Sequence, residues 1–105
     1  MARFDIYSNP GKNQQKTPFL LDVQSNVISG LATRIVIPLR LLTSFSAASL
    51  PADLLPVIAV NGIHYLLDTP QLGAIPASEL KMKVGSAQTQ QTDIQKALDR
   101  VFGAY

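Results

Sequence analysis

"LLPVIAVNGIHYLLD", residues 54–68, decides the fold. Asn61 and Gly62 stand between two apolar runs, and this dipeptide supplies the two positive-φ positions that a type I′ turn needs. A two-residue turn joins strands that pair directly, so the flanking runs form an antiparallel hairpin. The rest of the chain has to fit a sheet of that kind.

Toward the N-terminus, "FLLDV" (19–23) and "TRIVIPL" (33–39) are apolar or β-branched runs that read as strands. Pro38 lacks an amide donor and is expected at an edge or a bulge. Between the runs lies a polar interruption, Asp22 and Gln24–Asn26, with Val27 and Ile28 beside it. If the interruption is a connecting segment, that apolar pair is poorly covered by the chain's own core. "RFDIYS" (3–8) alternates with period two and predicts a first strand. "NPGKNQQK" (9–16) has no apolar residue and predicts a solvated, mobile loop.

Toward the C-terminus, "TPQLGAIPASEL" (69–80) contains Pro70, Gly73 and Pro76, which predict a loop with at most a short edge strand, and "LKMKV" (80–84) alternates again. From Ile94 the period changes. Ala97, Leu98, Val101, Phe102 and Tyr105 follow at helical spacing, giving one amphipathic helix of about four turns, with Ser86 positioned to cap its first amides. The expected fold class is therefore mainly β (α+β): a small antiparallel sheet with one C-terminal α-helix.

At 105 residues the chain is expected to form a single domain, 1–105, with a core of its own. Hydrophobic residues make up 47% and charged residues 15%, a thin polar surface that favours self-association as a symmetric dimer. The segment Leu20–Asp22, the Pro70–Pro76 loop and the terminal helix are its expected contributors. Nine basic and seven acidic residues are spread without a block, so direct sequence-specific nucleic-acid binding is not expected. Zero cysteine fits a reducing compartment. No apolar run approaches the roughly 18 residues of a membrane span. A cytoplasmic protein without membrane contact is the expectation.

Catalytic chemistry has few candidates. His64 is the only histidine and there is no cysteine, which removes histidine-based metal sites and two-histidine relays. In the predicted strand His64 points away from Ile63 and Tyr65 and reads as a surface residue. Asp93 and Asp99 lie on different sides of a helix and are expected to pair weakly with Lys96. The glycines fit no phosphate-binding loop. No catalytic residue, metal or cofactor is assigned.

Taken in order, "FxIY", "DVQS" followed by "RIVIPL", the hairpin into "LLDTPQLGAIP", and "DIQKALDRVF" make the chain resemble the CcdB family of plasmid and chromosomal toxins over nearly its whole length. The resemblance implies an SH3-like barrel sheet with a terminal helix, a homodimer, and poisoning of DNA gyrase through its A subunit. It also implies neutralisation by a cognate antitoxin with a disordered C-terminal segment. By matching positions, it assigns gyrase binding to Val27, Ile28, Asp99, Phe102, Gly103, Ala104 and Tyr105, and antitoxin binding to Arg34. The chain departs from the family at its end: the best-known member finishes in Trp-Gly-Ile, whose indole stacks on a gyrase arginine, whereas this chain finishes "VFGAY". Aligned without a gap, Gly103 occupies the stacking place; shifted by one, Phe102 does. Two other functions stay open: a ribonuclease toxin of the same SH3-like fold, and a homologue that binds antitoxin without poisoning gyrase.

Overall fold

The computed structural model describes residues 2–28, 30–44 and 51–103. Ala104 and Tyr105, both expected at the binding end, lie outside the described residues. The hairpin forms as the Asn-Gly pair requires: Asn61 and Gly62 have φ of 53° and 82°, and β4 (Val57–Val60) pairs antiparallel with β5 (Ile63–Leu67). Around it are β1 (Asp5–Ser8), β2 (Phe19–Asp22), β3 (Thr33–Leu41), β6 (Gly73–Pro76) and β7 (Lys83–Ser86). Among the described residues these seven strands make one antiparallel, curled half-barrel sheet in the order β4-β5-β3-β2-β1-β7, with β6 pairing β3. β6 is the short edge strand anticipated within the 69–80 segment from Pro70, Gly73 and Pro76.

Pro38 is neither at an edge nor in a bulge. It sits inside β3, opposite Leu20 of β2, at the place where the partner on the other side changes from β6 (paired with Thr33–Val36) to β5 (paired with Leu39–Leu41). Its carbonyl accepts the amide of Asp68 at 3.0 Å, so the missing N–H falls in the gap between two partner strands, where no ladder bond is lost. The 9–16 loop, expected to be solvated, is exposed and is tied by Asn9. The Asn9 amide donates to the Thr17 carbonyl at 2.7 Å and its oxygen accepts Gly11 N–H at 2.9 Å.

Helix α1 (Gln91–Phe102) has 12 residues, shorter than the four turns read from the sequence, because Gly103 adopts φ 68° and terminates it. Ser86 does not cap α1, whose N-cap is Gln90; its hydroxyl instead accepts Gln88 N–H at 3.2 Å, ahead of the 3-10 turn Gln88–Gln90 that leads into the helix. Ile94 and Leu98 share one core cluster with Ile6, Leu21, Ile37, Leu39, Ile58 and Leu67 of the half-barrel, and Ala97 on the same helix is fully buried. The side chain of Gln90 lies along the outer edge of β4, donating to Val57 O at 2.9 Å and accepting from Ala59 N at 3.4 Å. This satisfies backbone groups that an open edge would present to another chain.

The sheet also buries its other face. Tyr7, Leu20, Val36 and Leu80, with Ile75 against them, form a second, smaller apolar cluster. Leu20–Asp22 is thereby covered by the chain itself and is not free to contribute side chains to a dimer interface, contrary to the expectation from the sequence.

Candidate functional site

The "DVQS" segment is built around a buried ion pair. Asp22 ends β2 opposite Val36, and Arg34 lies two residues before Val36 on the same face of β3. Their side chains meet as two parallel bonds, Nε to Oδ2 at 2.8 Å and Nη2 to Oδ1 at 2.9 Å, and neither has any solvent exposure. Planar, charge-assisted pairing of this kind has a demanding geometry. Arg34, expected at the antitoxin-binding surface, is therefore fully buried. Any effect it has on an antitoxin has to be transmitted through the segment it holds.

That segment is pinned bond by bond. Asp22 Oδ1 accepts Gln24 N–H at 3.0 Å. The Gln24 side chain then spans the loop, its Oε1 accepting Ile35 N–H at 3.0 Å and its Nε2 donating to Ile28 O at 3.0 Å. Ser25 Oγ accepts Val27 N–H at 3.2 Å and starts the 3-10 turn Asn26–Ile28. The polar interruption is thus a scaffold whose product is an exposed apolar pair: Val27 is 92% and Ile28 45% accessible. Leu31 and Ile35, the next large apolar residues of the described chain, are exposed as well.

The helix supplies the neighbouring surface. Asp99 and Lys96, with Gln91, Thr92 and Gln95, face Arg3 and Phe4 across an open groove of about 330 Å³. Phe102, counted with the apolar helical face in the sequence, is 68% exposed and stands at the helix end before the Gly103 cap. Asp99 accepts Gln95 Nε2–H at 3.1 Å. Val27, Ile28, Asp99, Phe102 and Gly103 are therefore all accessible at least in part, whereas Arg34 is not.

Other charged contacts were not legible from spacing. Arg40 and Asp68, 28 residues apart, meet at 3.0 Å, and Lys83 reaches Asp5 at 3.2 Å. His64 is exposed on β5 opposite Ala59. Tyr7, 5% exposed, has its phenol pushed above the ordinary value of 10.0, first by burial and then by the negative charges of Asp5 and Asp22. A raised folded-state value means that this group's contribution to stability is complete below pH 10 and is lost as pH rises through the folded value. Alkaline absorbance titration should show a tyrosine step above the ordinary value, and that step should be missing in Tyr7→Phe. Tyr7→Phe should flatten the alkaline loss of stability.

Comparison with known proteins agrees with this architecture. The solved structure of a mycobacterial endoribonuclease in complex with its cognate antitoxin superposes with a TM-score of 0.74 at 13% identity, over 98% of this chain and 95% of the other. A second mycobacterial endoribonuclease structure gives 0.72 at 14% identity, over 98% of this chain and 91% of the other. At such identities the likeness is one of fold. The sequence model described as "CcdB protein" matches residues 3–103. With nearly every described residue inside that match, the chain belongs to the CcdB family.

Proposed function

We propose that the protein is the toxin of a toxin–antitoxin module, that it binds the A subunit of DNA gyrase and traps the gyrase–DNA cleavage complex, and that a disordered segment of a cognate antitoxin neutralises it. The observation that carries this reading is the nearly complete exposure of Val27 on a turn fixed by Gln24 and Ser25. An apolar side chain held out by a preorganised turn loses little entropy on binding, so its burial against a partner is retained as affinity. Phe102 and Asp99 would extend the contact, and Arg34 would serve antitoxin binding by holding the 24–28 segment in place.

The protein acts in the cytoplasm on this reading, as a homodimer. With Leu20–Asp22 covered by the chain itself, the remaining expected contributors are the Pro70–Pro76 segment and the terminal helix. Sedimentation at tens of micromolar should give twice the 11.4 kDa chain mass; a persistent monomer removes the dimer.

The names of the two structural neighbours favour a second reading, RNA cleavage. Here Arg40 beside Asp68 is the pair that could place a cation and a carboxylate at a scissile phosphate. The two readings separate in one experiment: purified protein is offered gyrase with supercoiled DNA, and separately RNA. Linear DNA released from trapped complexes supports poisoning. RNA cleavage that disappears in Asp68→Asn supports the second reading. Under poisoning, His64→Ala should leave activity within a few-fold, because no proton transfer is asked of it.

A further inference from the structure

Arg3 touches three parts of the molecule at once. Its backbone N–H donates to Asn26 Oδ1 at 2.8 Å, at the start of the exposed turn. Its Nε donates to Val23 O at 3.1 Å, and its Nη2 donates to Gln95 Oε1 at 2.9 Å on α1. Gln95 in turn donates to Asp99 Oδ1 at 3.1 Å. A continuous line of hydrogen bonds therefore runs from Asn26 to Asp99 across the groove.

The backbone beside Arg3 is strained in a way that favours this placement. Ala2–Asp5 forms a tight turn closed by Asp5 N–H to Ala2 O at 3.1 Å, and its third residue, Phe4, has φ 73°. That position in such a turn is ordinarily taken by glycine or asparagine, and for a bulky side chain it is unfavourable. Phe4 is held there by both backbone groups, N–H to Asp22 O at 2.6 Å and O from Ala87 N–H at 2.8 Å, and by its buried ring. The outer face of the ring carries the Arg3 guanidinium, 4.7 Å from the centroid. The turn sends Arg3 across the groove instead of onward in line with β1.

We infer that Arg3 is a positioning residue that couples the Asn26–Ile28 turn to α1, so that Val27 and Ile28 and the helical residue Asp99 meet a partner as one surface. The partner named here rests on the gyrase reading above. The coupling itself does not.

Two measurements on the full chain test it. In the first, amide chemical shifts and hydrogen exchange at Val27 and Ile28 are followed in Gln95→Ala, an exposed helix substitution that leaves the core intact. Shifted signals and faster exchange are expected. Unmoved signals at both amides overturn the coupling whatever the protein binds. In the second, affinity for the gyrase A subunit is measured for Val27→Ala, Asp99→Ala and the double variant, in the parent and in Arg3→Ala. Non-additive effects in the parent should become additive in Arg3→Ala, and Arg3→Ala alone should weaken binding by about tenfold, the loss expected for a charge-assisted hydrogen bond. Arg3→Lys should not restore affinity, because one ammonium cannot reach Val23 O and Gln95 Oε1 from the same fork. Additivity in the parent overturns the proposal. If the parent does not bind gyrase at all, the functional reading fails and the amide measurement decides the coupling.

Discussion

Asp22→Leu should destabilise the protein by about 3–5 kcal/mol, because it leaves the Arg34 guanidinium buried and without its counter-charge. For a domain of this size that is a large share of the total stability and corresponds to roughly 15–30 °C in melting temperature. The cost lies in the orphaned charge and not in the absence of attraction. Asp22→Leu combined with Arg34→Met should therefore recover most of the loss, since an apolar pair of similar volume suits the surrounding cluster of Tyr7, Leu20 and Val36. The double variant should still bind its partner more weakly than the parent. With Asp22 gone, Gln24 N–H loses its acceptor, and with Arg34 gone the Gln24 carbonyl loses its 3.5 Å contact, so the turn that presents Val27 loses both of its ties to the ion pair and is held only by the Gln24 side chain, Ser25 and Arg3. Thermal melting and gyrase binding measured on the same three proteins separate the two roles. A double variant that both melts and binds like the parent would remove the scaffold role of the ion pair.

This ion pair is also the feature that the sequence concealed. Alternation along a strand shows which residues share a face, but not whether the second face meets solvent. Asp22 has the parity of Leu20, and Arg34 that of Val36, and both of those residues are buried in the smaller cluster. The sequence reading put Asp22 in a polar connection and took Arg34 as an antitoxin contact, with nothing to bring the two together. The legible signal was the antiparallel register: with β2 and β3 paired, opposite charges at 22 and 34 fall diagonally on one face, within reach of a long side chain. The hairpin at Asn61-Gly62 and the burial of Ile94, Ala97 and Leu98 were readable because each depends on residues close in the chain. The exposure of Val27 and Ile28 was readable for a related reason, since a short polar run beside them leaves no neighbour to cover them. Arg3 was not readable. Its role depends on a left-handed Phe4, for which the sequence carries no glycine or asparagine marker, and on a contact across 92 residues.

Removing Gly103 to Tyr105 should abolish gyrase trapping while the protein stays folded and still binds its antitoxin. Helix α1 is anchored through Ile94, Ala97 and Leu98, all of them buried, whereas Val101 is only half-buried and Phe102 is mostly exposed. Leu98→Ala should cost about 2–5 kcal/mol as a large-to-small change in the core. The truncation forfeits mainly the Gly103 N–H to Asp99 O bond that closes the helix, a far smaller loss. Stability and poisoning should thus separate along one helix, with Leu98 on the side of folding and the residues beyond α1 on the side of function. Phe102→Ala refines the assignment: it should leave the melting temperature nearly unchanged and weaken poisoning if this ring does the stacking that an indole does at the family's terminus. Gly103→Trp tests the ungapped alternative, with a backbone cost of its own. Among the described residues nothing lies within 4 Å of a Cβ at Gly103, but φ of 68° is a left-handed conformation that costs an L side chain roughly 1–2 kcal/mol. A rise in poisoning in spite of that cost would assign the stacking place to position 103. A truncated chain that still traps gyrase as the parent does would move the contact away from the helix end and leave it to Val27 and Ile28, where single alanine substitutions should then account for the whole effect.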